Sequence, residues 1–387
     1  MIQNPFTRQE YDERLARIHQ EMDSRQLELL ILNDPESIYY ASGYQTRAIA
    51  GHQVLAVPLG RPPVFMTRLR DFGNFLGIAD VTPIADAVTY DDGGRPPMDV
   101  FVDLLKKHGL GGGRTGIEKS SIYLTVEHYE TLKNVLSDAE MVDASSIVAE
   151  LRIIKSPSEI ACHREAGRIV VEAMRAGMEA TQLGKTDANV AAVVAAGLLN
   201  AGSEWIATWP VVRFGAQTGR SHSSWQGVEI EPSAPTTIET SGAVGRHHSP
   251  FYRTKIFQPT DEQRRISEAV SEGFAAGLAA VRPGVTASQI YSQIQQTIED
   301  HGFAEILTGR CAYTVGIAFP PNWMNRMGVD ILPTNQRMLE PGMVFHWLMI
   351  LVRQNEMTIG TSSTIVVTEN GYEDLTPGME RGPFLVD

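Results

Sequence analysis

The sequence predicts an α/β domain over residues 1–154, followed by a larger domain over residues 155–387 that is built from two related halves. Three observations predict this arrangement. Short apolar runs alternate with polar, helix-periodic stretches in the first part of the chain. A strong helix start follows near residue 155, and beyond it a set of small residues recurs at an offset of 100 residues. At roughly 150 residues for an average domain, a chain of this length is long enough for two domains.

In the first domain, the apolar runs are typical of buried strands, and the stretches between them have the spacing of amphipathic helices. Such an alternation of strands and helices is typical of an α/β domain. In chain order we expect a helix at 8–25, strands at 27–32, 54–57 and 63–67, a helix at 98–108, a strand at 115–118 and a helix at 126–136.

The second domain begins with a helix whose first turn is indicated by three residues. Ser156 can cap the helix, Pro157 suits its first turn, and Glu159 completes a capping box. A long amphipathic helix is therefore predicted from this point to about residue 180.

The repeat in the second domain includes glycines and threonines of the kind that begin or end helices and turns. Each copy predicts a helix, a glycine turn, a second helix capped by threonine, a glycine stop and then strands. Two related halves that face each other form a crevice, and ligand pockets favour such places. The recurring residues are Glu172, Ala176, Gly177, Ala180, Gly184, Thr186 and Gly202, which reappear as Glu272, Ala276, Gly277, Ala280, Gly284, Thr286 and Gly302.

The composition excludes several classes of protein. The net charge of −13 opposes binding to nucleic acid or to an anionic membrane, and no apolar run is long enough to span a bilayer. The two cysteines imply no disulfide framework, and the first residues lack the apolar core of a signal peptide. We therefore expect a soluble cytoplasmic protein.

The segment 236–257 concentrates the residues that could carry chemistry. Glu239 lies in a short apolar stretch, where burial would raise the pKa of its carboxyl towards values useful for catalysis. A structural carboxylate is the alternative. His247 and His248 are adjacent, so in an extended strand only one of them faces a pocket, and we favour His248. His222 lies in a Gly- and Ser-rich loop at 215–227, a composition that favours function over packing, and imidazole can carry a proton near neutral pH.

The second domain also contains motifs that resemble a known family. The capped helix at 155–159, the duplicated halves and the stretches LEPGMVFHW at 339–347 and IVVTENGYEDLT at 365–376 resemble the pita-bread fold of methionine aminopeptidase, prolidase and creatinase. The resemblance implies a creatinase-like N-terminal α/β domain, an α+β catalytic domain with duplicated halves, and a homodimer.

The metallopeptidases of this family bind two metal ions through two Asp, one His and two Glu. Divalent metals in such sites need carboxylate oxygens and imidazole nitrogens, which the matching residues do not supply. The resemblance therefore implies that this chain has no catalytic metal and no cofactor. The matching positions are Thr240, Pro250, Tyr313, Leu348 and either Ser362 or Ser363.

Within the family, the chain resembles the metal-free branch and most of all the ectoine hydrolases. The similar segments lie at 221–225, 246–250, 313–317, 320–323 and 345–347, and they span the second domain, with further matches in the first. The ectoine hydrolases have an acid in the strand that matches 361–363, and this chain does not. The resemblance implies a hydrolase that opens a small cyclic amidine, with Glu239 as nucleophile or base and His222 handling protons.

Further residues are expected to hold a substrate that is cationic or zwitterionic and has a carboxylate. Aromatic side chains can surround a cation and arginine can bind a carboxylate through two hydrogen bonds, although core packing and structural ion pairs are the alternatives. In creatinase-like dimers, the neighbouring N-terminal domain also lends an arginine. The candidates are Trp225, Tyr313 and Trp323 for the aromatic wall, His346 as a further pocket residue, Arg253 and Arg326 for the carboxylate, and Arg47 as the arginine of the neighbouring subunit.

Other functions remain open at this stage. One is a creatinase-like amidinohydrolase, although Tyr252 and Leu348 occupy the positions of the two key creatinase glutamates. A second is a lyase that acts on a small zwitterion such as dimethylsulfoniopropionate. A third is a non-catalytic pseudo-peptidase scaffold that binds a partner. A peptidase is the least expected, because its metal ligands are missing.

Overall fold

The computed structural model describes residues 4–49 and 51–387. The chain divides into two compact units, of which the first ends at Arg152 and the second runs from Ile153 to Asp387. This division lies two residues before the domain boundary expected from the sequence.

The first unit contains one six-stranded mixed sheet with helices between its strands. Its strand order is β4-β3-β2-β1-β5-β6, and the strands predicted near 27–32, 54–57, 63–67 and 115–118 are confirmed as β1, β2, β3 and β5. The helices predicted at 8–25, 98–108 and 126–136 are confirmed as α1, α4 and α5. The elements are α1 (Arg8–Ser24), β1 (Leu29–Leu32), α2 (Pro35–Ser42), β2 (Val54–Pro58), β3 (Val64–Arg68), a 3-10 turn (Leu69–Asp71), α3 (Phe72–Leu76), β4 (Asp86–Tyr90), α4 (Pro97–Lys107), β5 (Arg114–Ile117), α5 (Val126–Val135), β6 (Glu140–Asp143) and α6 (Ser146–Leu151).

The second unit consists of two helix pairs and two sheets. The first sheet has the strand order β15-β9-β8-β7 and the second has the order β11-β10-β12-β13-β14. Its elements are α7 (Pro157–Ala180), α8 (Asp187–Asn200), β7 (Val211–Phe214), a 3-10 turn (Gly215–Gly219), β8 (Thr236–Val244), β9 (His247–Phe257), α9 (Asp261–Ala280), α10 (Ala287–Asp300), a 3-10 turn (Ala304–Ile306), β10 (Ala312–Thr314), β11 (Asp330–Ile331), β12 (Val344–Arg353), β13 (Met357–Thr368), β14 (Gly371–Asp374) and β15 (Phe384–Val386).

The structure confirms the repeat. Helices α8 and α10 have the same length at an offset of 100 residues, and Thr186 and Thr286 form a capping box at the start of each. Gly177 and Gly277 both lie where helices pack closely, because an added Cβ would come within 2.5 Å of Val194 in the first copy and 2.7 Å of Ile294 in the second. The predicted capping box at Ser156 and Glu159 is also present.

Each sheet of the second unit has one face towards its helices and one face away from them. Ile238 and Phe251 pack with the apolar core of α7 and α8, and Phe345 and Trp347 pack with that of α9 and α10. Because side chains alternate along a strand, the residues between these point to the opposite side, which we call the inner face. Tyr252 and Leu348 share a separate small core on that side.

Side chains join the two sheets along β9 and β13. The Thr254 hydroxyl donates to the Gly360 carbonyl at 2.8 Å and accepts from its N–H at 2.9 Å. The Thr364 hydroxyl donates to the Pro250 carbonyl at 2.7 Å. These bonds satisfy backbone N–H and carbonyl groups that are not paired within the sheets. They also hold the two inner faces side by side.

Among the residues that the structure describes, no helix combines the length and the apolar character needed to cross a bilayer.

The hydrogen bonds of Thr254 between the two sheets give a testable prediction. Thr254→Val leaves the buried N–H and carbonyl of Gly360 without a partner, so the free energy of unfolding should fall by on the order of 2 kcal/mol and Tm by several degrees. Thr240→Val is the matched control, because the Thr240 hydroxyl is buried without a hydrogen-bond partner among the described residues. Its Tm should be unchanged or higher. Equal losses in both variants, measured by circular dichroism on heating, would contradict this account.

Candidate active site

A group of polar and aromatic side chains meets on the inner face, and we call it the central cluster. Glu239 of β8 lies opposite Tyr252 of β9, and Tyr313 of β10 lies opposite His346 of β12. The two tyrosines and the histidine are buried, whereas Glu239 is half-buried. The central cluster consists of Glu239, Tyr252, Tyr313, Trp323, His346 and Ser362.

A chain of hydrogen bonds runs through this cluster. The Trp323 Nε1–H donates to the Tyr313 hydroxyl at 2.9 Å, and that hydroxyl is 2.8 Å from His346 Nδ1. His346 Nε2 lies 2.7 Å from the Ser362 hydroxyl, which also accepts the Tyr252 N–H at 2.7 Å. Burial lowers the pKa of His346 to about 3, so this imidazole is neutral at physiological pH. The structure thus brings together Tyr313, Trp323 and His346, three of the residues expected to hold a substrate, and that role stays a prediction.

The neutral His346 has one N–H and one acceptor nitrogen, so the chain has two arrangements. Either Tyr313 donates to Nδ1 and Nε2–H donates to Ser362, or both bonds run in the opposite direction. In the first case the Ser362 hydroxyl hydrogen is left without an acceptor in the chain, and in the second case the Tyr313 hydrogen is. Burial, and then the negative charge of Glu239, raise the pKa of Tyr313 well above its usual value. Tyr313 therefore stays a hydroxyl that can donate a hydrogen bond.

Glu239 is the acidic residue of the central cluster. It makes no hydrogen bond or ion pair with any residue in the described part of the chain, and it remains partly accessible. Burial raises the pKa of Glu239, and the positive charge of Arg213 opposes that rise. The alternative interpretation, a structural carboxylate satisfied at the strand ends, has no such contact to support it.

Arg213 is a site residue that the sequence analysis did not identify. It lies on β7 opposite Thr237, and it is only 5% exposed. Nη1 donates to the Arg220 carbonyl at 3.0 Å, whereas the buried Nε has no partner among the described residues. A single charge inside the apolar strand VVRF was the available signal, because a buried cation needs an anionic or polar partner.

The prediction that His248 contacts the substrate is wrong. Its Nδ1 lies 2.9 Å from the Arg246 carbonyl, which can only accept, and its Nε2 accepts the Ala207 N–H at 3.0 Å. Burial, and then the charge of Arg246, hold the pKa of His248 well below its usual range. Both ring nitrogens are thus occupied by the backbone, which makes His248 a structural residue.

The prediction for Arg253 is also corrected. Its guanidinium lies 3.9 Å from the centre of the Phe251 ring, on the helix-facing side of the sheet, and donates to the Tyr252 carbonyl at 2.8 Å. Thr240 lies opposite Phe251 and shares that face, although the family resemblance matched it to the first metal-binding Asp. Of the two neighbours Glu239 and Thr240, Glu239 is the one on the inner face.

Four further residues were predicted to act at the site, namely His222, Trp225, Arg326 and Arg47. His222 and Trp225 are exposed in the loop before β8, and in the described part of the chain no hydrogen bond joins either to the central cluster. Arg326 is half-buried in the segment after Trp323, and Arg47 is exposed in the first unit. Their roles stay predictions.

The inner face does not suit the two metal ions that the metallopeptidases of this family bind. Within residues 4–49 and 51–387, no three His, Cys, Asp or Glu side chains are grouped so that they could hold a metal ion. In the central cluster, as far as the structure describes the chain, Glu239 is the carboxylate without a partner, and both nitrogens of His346 already have partners. Leu348 cannot ligate and the Ser362 hydroxyl is a weak neutral donor, so this set of residues does not fit a divalent cation.

Comparisons with known proteins identify the family. The sequence matches metallopeptidase family M24 over residues 161–369 and the creatinase/prolidase N-terminal domain over residues 14–154. It is 29% identical to an ectoine hydrolase from Halomonas elongata over 96% of each chain. It is 24% identical to an Xaa-Pro dipeptidase from Pyrococcus furiosus, over 94% of this chain and 97% of that protein.

Solved structures agree on the fold. The prolidase from Pyrococcus horikoshii OT3 superposes with a TM-score of 0.83 at 22% identity and covers 95% of this chain and 99% of its own. The predicted combination of an α/β N-terminal domain with a pita-bread second domain is thereby confirmed. Since the family match spans more than half of the sequence, the chain belongs to metallopeptidase family M24.

Proposed function

We propose that this protein is a metal-independent hydrolase that opens a small cyclic amidine or a similar carbon–nitrogen bond, with Glu239 as nucleophile or base. The observation that carries the proposal is the Glu239 carboxylate itself, which faces a buried polar cluster and makes no hydrogen bond or ion pair with any described residue. A carboxylate in such surroundings binds a cation strongly and can also activate water.

The surroundings of Glu239 favour a compact cationic substrate. Tyr313 and Trp323 place aromatic rings in the same cluster, and ring faces attract cations. The similarity to an ectoine hydrolase supports the same substrate class, because ectoine is a cyclic amidine with a carboxylate. The similarity to dipeptidases supports a hydrolase more generally, but no group of ligands that a two-metal peptidase needs is found among the described residues.

The chemistry that we propose is addition of water across the amidine carbon. Glu239 either takes a proton from water, which then attacks that carbon, or attacks the carbon first and is released by water. One carbon–nitrogen bond of the ring breaks, and the departing nitrogen takes up a proton. The product has an amide on one nitrogen and an amine on the other, and one water is consumed.

The hydrogen-bonded chain supplies donors rather than bases. His346 is neutral and fixed by two hydrogen bonds, so it positions Tyr313 and Ser362. The one hydroxyl hydrogen left over on this chain can stabilise a substrate nitrogen or oxygen as charge changes there. Proton delivery to the departing nitrogen is proposed for His222, whose loop is accessible to solvent.

The proposal predicts ring opening of ectoine that depends on Glu239. Glu239→Gln should lower kcat/KM by about 100-fold or more, because a general base or nucleophile contributes at least that much. Glu231→Gln is the control, since Glu231 is exposed in the loop before β8. NMR of the purified protein with ectoine, 5-hydroxyectoine, creatine and dimethylsulfoniopropionate separates the candidate activities. Turnover of none of them, or full activity of Glu239→Gln, would refute the proposal.

Metal removal provides a second prediction. Dialysis against a strong chelator should leave the rate of ring opening unchanged, because the inner face does not fit a divalent ion. Elemental analysis of the dialysed protein accompanies the assay. Loss of activity on dialysis that returns with one equivalent of added Mn²⁺, Co²⁺ or Zn²⁺ would contradict metal independence.

The pH dependence follows from the raised pKa of Glu239. Glu239 must be deprotonated to act, so kcat/KM should fall as the pH drops through that pKa, at a higher pH than an ordinary glutamate would give. Arg213→Gln should move this acid limb to still higher pH, because the charge of Arg213 lowers the pKa of Glu239. Arg282→Gln, at an exposed arginine, should not move it. An acid limb that stays in place in Arg213→Gln would show that Glu239 is not the titrating group.

A further inference from the structure

Arg213 Nε, Tyr252 Oη and Thr237 Oγ1 lie buried on the inner face of the first sheet without a well-formed hydrogen bond among the described residues. Their residues are 5%, 2% and 0% exposed, so water does not readily compensate for the missing bonds. The Tyr252 hydroxyl lies close to the hydroxyls of Thr237 and Thr254, so these groups can also bond weakly to one another. An unpaired buried polar group is unfavourable, so a ligand that bonds to it is bound favourably. Other buried atoms of the described residues are also unpaired, and these three are distinguished by sharing the face on which Glu239 lies.

The strand register brings these atoms to one place. Thr237 lies opposite Arg213 on one side and Thr254 on the other, and Glu239 is two residues further along the same face of β8. Arg213, Thr237 and Tyr252 therefore lie on neighbouring strands of the same face, around Glu239. The charge of Arg213 acts on the pKa of both Glu239 and Tyr252, in agreement with this placement.

All three atoms can donate a hydrogen bond. The guanidinium is held from one side, because Nη1 donates to the Arg220 carbonyl, and its Nε–Nη2 edge makes no hydrogen bond with any residue in the described ranges. That edge is the one that binds a carboxylate through two parallel bonds. Glu239 does not use it, since the two side chains form no ion pair. A cluster of donors around an arginine fits an anion.

We propose that Arg213, Tyr252 and Thr237 form a carboxylate-binding subsite next to Glu239. The identity of the full ligand rests on the proposed function. Arg213 holds the carboxylate of a zwitterionic substrate, while Glu239 faces its cationic amidine. This subsite assigns to Arg213 the role that the sequence suggested for Arg253 or Arg326.

The subsite can be tested without any assumption about the reaction. Sodium acetate is titrated into the wild-type protein, and the ¹Hε–¹⁵Nε signals of the arginines are followed by NMR against sodium chloride at equal ionic strength. The Arg213 signal is assigned by its disappearance in Arg213→Lys. We expect this signal to shift saturably with acetate, while the signal of the exposed Arg282 does not. If the Arg213 signal does not shift when acetate is added, the proposal is overturned.

A pair of ligands tests the role of the subsite in specificity. Ectoine and 2-methyl-1,4,5,6-tetrahydropyrimidine share the amidine ring, but only ectoine has the carboxylate. At a pH well above the acid limb of both proteins, Arg213→Gln should lower kcat/KM for ectoine by about 10- to 100-fold, the effect of one hydrogen-bonded charge, and lower that of the plain ring much less. Arg213→Lys should recover part of the loss, and Arg282→Gln should match the wild type.

The outcomes separate the two proposals. An equal loss for both ligands in Arg213→Gln would mean that Arg213 supports the fold, and the subsite would be overturned. If ectoine is not turned over while acetate still shifts the Arg213 signal, the proposed function fails and the subsite stands.

Discussion

The side-chain bonds between β9 and β13 are the constraint on which the rest of the second unit depends. Two sheets that arise from a duplication each have their own helices, and nothing in the repeat itself holds their inner faces in register. Thr254 and Thr364 do so through the backbone of the other sheet. The Tyr252 N–H extends the same joint to Ser362, and Ser362 contacts His346. The bonds between β9 and β13 thus continue into the central cluster. The positions of the side chains around Glu239 therefore depend on these bonds.

Local features of the fold could be predicted from the sequence because they depend on neighbouring residues. The capping boxes at Ser156, Thr186 and Thr286 need only residues within one turn of a helix. The site residues depend on which face of a strand each side chain occupies, and that is set by pairing between distant strands. A shift of one position exchanges Glu239 with Thr240 and reverses the conclusion about which of them faces the site.

The errors at Arg253 and His248 have the same physical origin. Both residues lie on β9, in a segment that resembles a catalytic motif, and from the sequence either could face the pocket. The structure places Arg253 against Phe251 and binds His248 to backbone groups on both ring nitrogens. Arg213 was missed for the converse reason, because its strand contains no motif and its role depends on its pairing with Thr237.

The described residues of the inner face do not supply a set of metal ligands, and this affects which charges the inner face can contain. A cluster that held two divalent ions would need several carboxylates, and without the ions those like charges would repel one another in a site of low dielectric constant. Replacement of one ligand alone would leave such uncompensated charges. Here neutral groups bond to each other instead, since Trp323, Tyr313, His346 and Ser362 form a continuous chain. Glu239 is then the one carboxylate of the central cluster, and Arg213 is the cation whose charge acts on it. Glu239 and Arg213 form no ion pair with each other, so each charge is left to another partner. This is the basis on which we propose a zwitterion, rather than a peptide bond polarised by metal ions, as the ligand of the inner face.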